Sequence, residues 1–496
     1  MESNNDSNTI WISPENDGSK YGTYNAPFTD ITETVNKASP GTTIILKAGN
    51  YNNTVTIQNS GTICQPIRII KEKGDGKEVI CTSSWYFYEV SDIIISGLTF
   101  EGSPYQALSI IGECKRNNFN NLRFVNCGLD TKSLCTFFFA GPGAESNVVE
   151  NCSFEIKPSH ITYKKNDLPI GLLISDGDSD DKTLQNKNHI FRNNSFLHYG
   201  CAIVIGTKKS YNNKYYSHIV ENNYINNCTS DGIRVNCGDI VIKKNIIKQC
   251  GKHGISIAKG KANIISENRI EECNISINIQ SQDCSIINNC IIRSGCYALT
   301  INTQSQKGID RTSSILIENN TFIDSGRKNM PYQCEDILFE TEAYCIFKDN
   351  LFYRVEKANL LKIKPTKKKI TDIIHFVNNL TTHSYGKKTG CIQQDIAFCS
   401  IEKENYSHNS PFGASGWVVE GKNSNIEKPT DIDLLNHKNN QSQFFHLPEV
   451  SNSNEEKQMY LRSFFINAES VSDEADEKSN LQQFEDDDIT DFSTWD

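Results

Sequence analysis

A repeat of 22 residues in the middle of the chain constrains its fold more than any other feature. Four short segments, GIRV, GISI, SINI and ALTI, place an apolar residue at this spacing: Ile233, Ile255, Ile277 and Leu299. A second apolar residue follows two positions later in each segment. Alternation of apolar and polar residues over a few positions is typical of a β-strand. Short strands recurring with this period predict the coils of an all-β solenoid.

Two further residue types recur at fixed positions between these segments. They are Asn245, Asn268 and Asn289, and Cys228, Cys250 and Cys273. In a solenoid, equivalent residues of neighbouring coils stack on one another, so we expect an asparagine ladder at one turn. The chain has 18 cysteines but no CxxC pair and no tight Cys/His cluster. Buried structural thiols are therefore expected rather than a disulfide framework.

The repeat continues on both sides of this regular core, with insertions between some strands. Comparable segments contain Leu108, Phe137, Leu172, Ile203, Ile337 and Leu361. With the four regular segments they predict about ten coils over residues 61–385. A solenoid needs a cover over its first coil, and we predict an N-terminal cap over residues 1–60. An amphipathic pattern at Ile31, Val35 and Ala38 predicts a short helix in this cap.

The end of the chain has a different composition. We predict a C-terminal capping region over residues 386–465 and a disordered acidic tail over residues 466–496. The chain has a net charge of −10, and the segment Ala468–Asp496 alone contains eleven acidic residues and one lysine. Its aromatic residues are Phe484, Phe492 and Trp495. Such a segment either docks a protein partner or serves as a solubilising tail.

Charge and hydropathy narrow the partners and the location. Outside the tail, acidic and basic residues are equal in number, so the body is neutral and nucleic acid is not expected as its main partner. No apolar run approaches the roughly 18 residues that span a bilayer. The N-terminus shows no secretory pattern. We expect a soluble protein, cytoplasmic or virion-associated unless an export signal has been removed.

The arrangement resembles the right-handed parallel β-helix of the pectate-lyase-like superfamily. The resemblance covers most of the chain, and the opening GTYNAPF followed by PGTTIILKAGNY is similar to the start of many carbohydrate-active β-helix proteins. It implies a single-stranded right-handed parallel β-helix with a polysaccharide-binding trough along one sheet. The same fold hosts lyases, hydrolases and inert adhesins. The alternative is a non-enzymatic structural or recognition β-helix, such as a phage or virus spike or an effector scaffold, which implies a possible homotrimer.

Polygalacturonases suggest candidate catalytic residues. Their motifs resemble NTDG and GHG, and this chain has TSDGI with Asp231 and KHGISI with His253. Paired acids and a histidine are the groups that glycosidic hydrolysis uses for proton transfer. The paired aspartates between the two motifs are missing here. We therefore take Asp231 and His253 as acid/base candidates, with Arg234 and Lys259 as groups that hold a uronate or a sulfate.

The chondroitinase B and alginate lyase group suggests a second mechanism. A lyase removes the proton next to a uronate carboxylate, which requires a base and a cation or calcium. The group has a catalytic lysine and arginine in segments resembling SVKS and LRHG. The matching segments here, RVNC and SIAK, place Asn236 at the lysine position and Ala258 at the arginine position. Lys259 is one residue away, so lyase, hydrolase and pure binding all stay open.

Strand alternation predicts which side chains line the trough. If Ile233 and Val235 point inwards, Arg234 and Asn236 point outwards, in rows with Ser256, Asn278 and Thr300 and with Ala258, Gln280 and Asn302. Insertions after Ser175, Gly206 and Asn302 are expected to form a wall beside the sheet. The predicted sugar-binding residues are Asn236, Asn278, Gln280, Lys208, Lys209, Tyr211 and Tyr215. Tyr216 continues this aromatic and basic stretch.

One acidic segment is a candidate metal site. SDGDSDDK contains Asp176, Asp178, Asp180 and Asp181 directly after a predicted strand. Alternating carboxylates in a flexible turn supply the oxygen ligands that calcium prefers. A solvated acidic loop has the same composition. Calcium is therefore the one cofactor that the sequence suggests.

Overall fold

The structure is a computed structural model of the chain. It describes residues 8–15, 21–74, 76–130, 135–161, 168–175, 186–206, 216–281, 283–303, 314–325, 337–339, 343–353, 361–363, 373–381, 392–393, 398–400, 405–408 and 414. Nearly all of the predicted capping region and acidic tail therefore lies outside the described residues.

The chain divides into two compact units. One contains residues 1–395 and 412–414, and the other contains residues 396–411 and 415–496. In the second unit the described strands are Phe398–Ser400 and Asn405–His408, which pair antiparallel. All other described strands and helices belong to the first unit.

Three long parallel sheets run along the first unit, and we call them sheets A, B and C. Sheet A has 14 strands in order, Thr9–Ile12, Thr43–Leu46, Ile67–Lys71, Ile93–Ser96, Asn118–Asn120, Val148–Glu150, Ile190–Arg192, Ile219–Glu221, Val241–Lys243, Ile264–Ser266, Cys284–Ile287, Ser314–Glu318, Tyr344–Lys348 and Ile374–Val377. Each strand pairs in parallel with the equivalent strands of the neighbouring coils.

Sheets B and C are built in the same way. Sheet B contains Gly49–Tyr51, Val79–Cys81, Thr99–Glu101, Arg123–Val125, Ser153–Glu155, Ser195–Leu197, Tyr224–Asn226, Ile246–Lys248, Arg269–Glu271, Cys290–Ile292, Thr321–Ile323, Leu351–Tyr353, Leu380–Thr381 and Ile392–Gln393. Sheet C contains Val55–Ile57, Trp85–Tyr88, Leu108–Ile111, Cys135–Ala140, Ile170–Ser175, Cys201–Ile205, Ile233–Asn236, His253–Lys259, Ile275–Ile279, Tyr297–Ile301, Ile337–Phe339 and Leu361–Ile363.

One strand from each sheet makes one coil, which confirms the predicted parallel β-helix. The ten segments recognised in the sequence are ten strands of sheet C. Two further strands of sheet C, Val55–Ile57 and Trp85–Tyr88, precede them. They read VTI and WYFY and lack the small-residue and aliphatic pattern of the repeat, so the sequence does not mark them as coils. The stack therefore begins before residue 61, within the range predicted for the cap.

The predicted helix is present as Ile31–Lys37 and covers the first coil. Asp30 caps its N-terminus by accepting a hydrogen bond from the Glu33 N–H at 2.8 Å. Ile31 and Val35 are buried, and the Asn36 side chain donates to the Thr56 carbonyl in the first strand of sheet C. A second, short 3₁₀ helix spans Pro158–His160. Neither of these helices has the length and apolar character needed to span a membrane.

Stacked aromatic and aliphatic columns fill the interior. On sheet B the rings of Phe124, Phe154 and Phe196 stack at centroid distances of 4.5 Å between neighbouring coils. On sheet C the inward-facing column contains the stacked isoleucines Ile233 and Ile255. Like residues stack because every coil offers the same position to its neighbour about 4.8 Å away.

Each coil turns sharply at corners formed by single residues of positive φ. Lys244 and Gln249 are examples, with φ of 57° and 54°. In each of eight coils an asparagine directly follows the first of these corners. These asparagines form the predicted ladder, which contains Asn194, Asn223, Asn245, Asn268, Asn289, Asn320, Asn350 and Asn379. In each step the side-chain oxygen accepts from the backbone N–H of the preceding coil, and the side-chain nitrogen donates to a carbonyl of that coil. The ladder thus satisfies buried backbone groups that the turn would otherwise leave unpaired.

The predicted buried thiols are confirmed among the described residues. Cys228, Cys250 and Cys273 stack at the corner between sheets B and C, each 2% exposed or less. Thirteen of the fifteen cysteines whose side chains the structure describes are buried. Burial raises the pKa of Cys81, Cys127 and Cys345, as expected for thiols that pack as small apolar groups.

Two histidines continue a ladder at the corner between sheets C and A. The backbone N–H of Asn147 donates to His189 Nδ1, and the backbone N–H of His189 donates to His218 Nδ1, both at 3.1 Å. The two rings stack at 4.9 Å. Because Nδ1 of His189 accepts a hydrogen bond, this nitrogen carries no proton. Burial lowers the pKa of His189 to about 3.

This buried histidine predicts a loss of stability in acid. The unfolded chain takes up a proton on His189 below about pH 6.5, whereas the folded chain does so only near pH 3. The free energy of unfolding therefore falls as pH drops through this window, by about 2 kcal/mol at about pH 5. Urea unfolding of the wild type and of His189→Asn, at neutral pH and in acid, measures this loss of unfolding free energy. Asparagine occupies the neighbouring ladder position at Asn147, so the variant should lose less stability; an equal loss in both proteins would contradict the assignment.

Candidate functional site

The outer face of sheet C carries the catalytic candidates of the sequence analysis. Asp231 lies just before the strand Ile233–Asn236, and His253 begins the strand of the next coil. Each is followed by a glycine that the packing requires. A Cβ on Gly232 would lie 2.6 Å from the carbonyl oxygen of Gly254, which itself follows His253. The sequence pairs Asp-Gly and His-Gly therefore bring the two side chains to the same edge of sheet C.

Asp231, Arg234 and His253 form one hydrogen-bonded group, which we call the Asp231 cluster. One carboxylate oxygen of Asp231 accepts from Arg234 Nε at 2.5 Å, and Arg234 Nη2 also lies 2.5 Å from it. The other oxygen lies 2.8 Å from His253 Nδ1. The cluster joins two adjacent coils, and three of the four predicted catalytic residues are in it.

The cluster fixes the protonation of its members. Asp231 is fully buried. Burial raises the pKa of its carboxyl, but the hydrogen bond from His253 and the charge of Arg234 together outweigh burial and hold the pKa below its usual value. An ionised carboxylate only accepts hydrogen bonds, so His253 Nδ1 carries the proton. In the neutral imidazole, Nε2 is then the basic nitrogen.

The register near Asn236 differs from the regular alignment of the sequence. Residues up to Val235 pair with the next coil at the expected spacing, but Asn236 pairs with Lys259 and not with Ala258. A β-bulge causes the shift. It is stabilised by Gly260, which has φ of 94° and packs so closely on the Cys237 carbonyl that any Cβ would overlap it. The expectation that Ala258 occupies this place is therefore wrong, and Lys259 lies beside Asn236.

The predicted polar row on sheet C is present, and its members bind one another. Asn278 Nδ2 donates to Ser256 Oγ at 3.1 Å, and Thr300 Oγ1 donates to Asn278 Oδ1 at 2.6 Å. Asn236 Nδ2 donates to the Gly206 carbonyl at 2.9 Å. Asn236 and Asn278 are buried, whereas Gln280 is partly exposed. Part of the hydrogen-bonding capacity assigned to sugar hydroxyls is thus used within the protein.

The coils before the Asp231 cluster have an apolar outer face, which the sequence analysis did not identify. Cys135, Ile170, Leu173, Cys201 and Val204 form a separate buried cluster there. Cys201 is in register with Asp231 on the adjacent coil. The signal in the sequence is the uninterrupted apolar runs IGLLI and CAIVI, since alternating strands would have polar residues at Leu173 and Val204.

Several predicted site residues lie outside the described residues. They are Lys208, Lys209, Tyr211, Tyr215, Asp176, Asp178, Asp180 and Asp181, together with the inserted segments that contain them. Tyr216 is described: it is buried in the core, and its ring lies 5.6 Å from the ring of His218. Among the side chains that the structure describes, no group of three or more His, Cys, Asp or Glu is arranged to hold a metal ion.

Comparison with protein families supports the architecture. A family model described as "Right handed beta helix region" matches residues 211–358, which include the Asp231 cluster. Over 97 residues the chain is 27% identical to the uncharacterized protein YwoF of Bacillus subtilis (strain 168). That match covers 20% of this chain and 17% of YwoF.

Solved structures extend the likeness over most of the chain. The PL6 family alginate lyase AlyGC gives a TM-score of 0.61 at 17% identity, over 82% of this chain and 56% of that one. A PL6 alginate lyase in complex with a trisaccharide gives 0.52 at 15% identity, over 84% and 93% of the two chains. A mannuronic acid specific family 6 lyase from human gut microbiota gives 0.54 at 16% identity, over 73% and 88%.

These comparisons establish the fold and its hand. The chain is a right-handed parallel β-helix. It spans about half the length of AlyGC. At identities of this size the likeness concerns the fold, and the chemistry has to be argued from the site.

Proposed function

We propose that the protein binds an acidic polysaccharide along the outer face of sheet C and cleaves it at the Asp231 cluster by β-elimination. The observation that carries the proposal is the hydrogen bond between Asp231 and His253 on adjacent coils, with Arg234 on the second carboxylate oxygen. A buried carboxylate that orients an imidazole is an arrangement that activates a base. The alginate lyases with this fold make an acidic polysaccharide the natural substrate class to test.

His253 is the base in this mechanism. Its Nε2 removes the proton next to the uronate carboxylate, and the electron pair forms a carbon–carbon double bond. The glycosidic oxygen then leaves and takes a proton from the imidazolium. Asp231 holds Nδ1–H and stabilises the imidazolium while it exists. Arg234 keeps Asp231 ionised through this cycle.

Lys259 supplies the cation for the substrate carboxylate. The β-bulge places it beside Asn236, on the coil that also carries His253, and it is partly exposed. The proton next to a carboxylate becomes more acidic when a cation neutralises the developing charge. Gln280 and Asn278 follow on the next coil and are proposed contacts for sugar hydroxyls. The lysine and tyrosine side chains of Lys208, Lys209, Tyr211 and Tyr215 are proposed for the same polymer.

The test is a depolymerisation assay on alginate, pectate, chondroitin, heparan and hyaluronan. The ultraviolet absorbance of an unsaturated uronate is expected to rise with at least one of them. If new reducing ends form without that absorbance, the protein cleaves by hydrolysis and not by elimination. Running the assay with added calcium and with a chelator tests the acidic segment at Asp176, Asp178 and Asp180 as a calcium site.

A recognition protein without catalysis is the second candidate. It is favoured by the small exposure of the cluster, since the Arg234 and His253 side chains are 10% and 11% exposed. Such β-helices act as trimeric spikes or scaffolds. The expected results are therefore a trimer in sedimentation equilibrium, no rise in ultraviolet absorbance and no new reducing ends. Activity from a monomer would exclude this candidate.

A further inference from the structure

A pair of tyrosines lies on the same outer face of sheet C, far from the Asp231 cluster. In the strand Trp85–Tyr88, the alternation buries Trp85 and Phe87 in the core and turns Tyr86 and Tyr88 outwards. The two outward rings are 6.2 Å apart and inclined by 29°. Tyr88 is 39% exposed, whereas Val204 and Arg234, farther along this face, are buried. The tyrosine pair is thus an accessible aromatic surface, whereas the coils between it and the Asp231 cluster include buried outward side chains such as Val204.

The residues in register with Tyr86 have small side chains. In register with Tyr86 are Thr56 on the preceding coil and Ser109 on the next, both small side chains. Next to Tyr88, Ile111 follows in the same row. Small neighbours cover less of an aromatic ring than large ones, and the π-face of a ring is the part that stacks on the C–H face of a sugar.

We propose that Tyr86 and Tyr88 form a distal sugar-binding subsite for the same polymer; this inference rests on the proposed function. Five strand spacings separate the strand Trp85–Tyr88 from Ile233–Asn236 along sheet C, which is about 24 Å. The repeat of an extended polysaccharide is close to one strand spacing, so the subsite lies about five sugar units from the Asp231 cluster. The protein therefore selects long chains over short oligosaccharides.

Charge at the edge of the pair indicates which part of the sugar it contacts. Glu89 directly follows Tyr88 and is exposed, and Glu113 on the next coil is paired with Lys115 Nζ at 2.9 Å. The Glu89 carboxylate repels a uronate carboxylate, so the sugar at this subsite presents its apolar ring face to the tyrosines and turns its acid group away. The tyrosine pair recognises the sugar by shape and stacking, whereas Lys259 binds the acid group by charge.

The test compares affinity for long and short probes. The dissociation constants of an alginate trisaccharide and of an oligosaccharide of about ten units are measured for the wild type, Tyr86→Ala/Tyr88→Ala and Tyr344→Ala. Tyr344 is the matched control, because it is also a tyrosine on an outer face, that of sheet A, and is 38% exposed. Loss of the pair should weaken binding of the long probe about tenfold and leave the short probe and the control unchanged.

The outcomes separate this inference from the proposed function. Equal weakening for both probes, an effect as large in Tyr344→Ala, or no effect on the long probe would each overturn the distal subsite. Binding that depends on the tyrosines without any cleavage by the wild type would support the subsite and overturn the elimination mechanism. Pectate and chondroitin oligosaccharides of matched length replace alginate if the wild type does not bind it, and failure with all three overturns both.

Discussion

Replacement of Asn268 by alanine should lower the free energy of unfolding by about 3 to 5 kcal/mol, because it leaves several buried groups without partners. Asn268 Oδ1 accepts from both the backbone N–H and the side-chain nitrogen of Asn245, each at 3.0 Å. Its Nδ2 donates to the Ile242 carbonyl and to Asn289 Oδ1, each at 2.9 Å. All of these atoms lie in the interior, where water cannot replace the lost hydrogen bonds.

The midpoint of urea unfolding measures this effect, with Asn50→Ala as the matched control. Asn50 is an asparagine on the exposed side of a sheet B strand, so its replacement should change the free energy of unfolding by less than about 0.5 kcal/mol. Similar midpoints for the two variants would show that the ladder contributes nothing beyond strand pairing. Because the coils form a linear array, we also expect the coils around Asn268 to unfold before the rest of the stack.

Replacement of His253 by alanine should reduce kcat/KM for the polymer that the protein cleaves by about 10²- to 10⁴-fold, which is the usual contribution of a general base. KM should change little, because Lys259 and the tyrosine pair would still hold the substrate. The Asp231–Arg234 ion pair remains in the variant, so the protein should stay folded. Initial rates of absorbance increase and the thermal unfolding midpoint are the two measurements.

His375→Ala is the control for this variant. His375 lies on the outer face of sheet A, with its ring 4.7 Å from Tyr344, and takes no part in the proposed chemistry. It should retain wild-type activity. If His253→Ala retains it as well, while folding normally, the Asp231 cluster is a structural link between two coils and the base is another residue.

Much of the fold follows from the sequence because a solenoid converts a local pattern into a global one. The 22-residue spacing of Ile233, Ile255 and Ile277 gives the coil length, and the similar spacing of Asn245 and Asn268, 23 residues, predicts their ladder. Stacking requires only that equivalent residues meet about 4.8 Å apart, so no long-range contact has to be guessed. The pairing of Asp231 with His253 was accessible for the same reason, since they are 22 residues apart.

Other features depend on how the coils pack and have no periodic signal. His189 takes an asparagine position in its ladder because Nδ1 can accept the same backbone N–H, which composition does not reveal. Tyr86 and Tyr88 lie in a coil that departs from the aliphatic repeat, so the pattern passes over it.

The sequence by itself determined the coil period, the inward columns, the asparagine ladder and the proximity of Asp231 to His253, because each repeats or aligns at a fixed interval. Only the tertiary structure decided that Arg234 and His253 both bind Asp231, that the outer face around them is screened from solvent, and that Lys259 lies beside Asn236. The last of these depends on a bulge held by contact between Gly260 and Cys237. A period fixes which coils are neighbours, but a shift of one residue in register is set by side-chain and backbone packing.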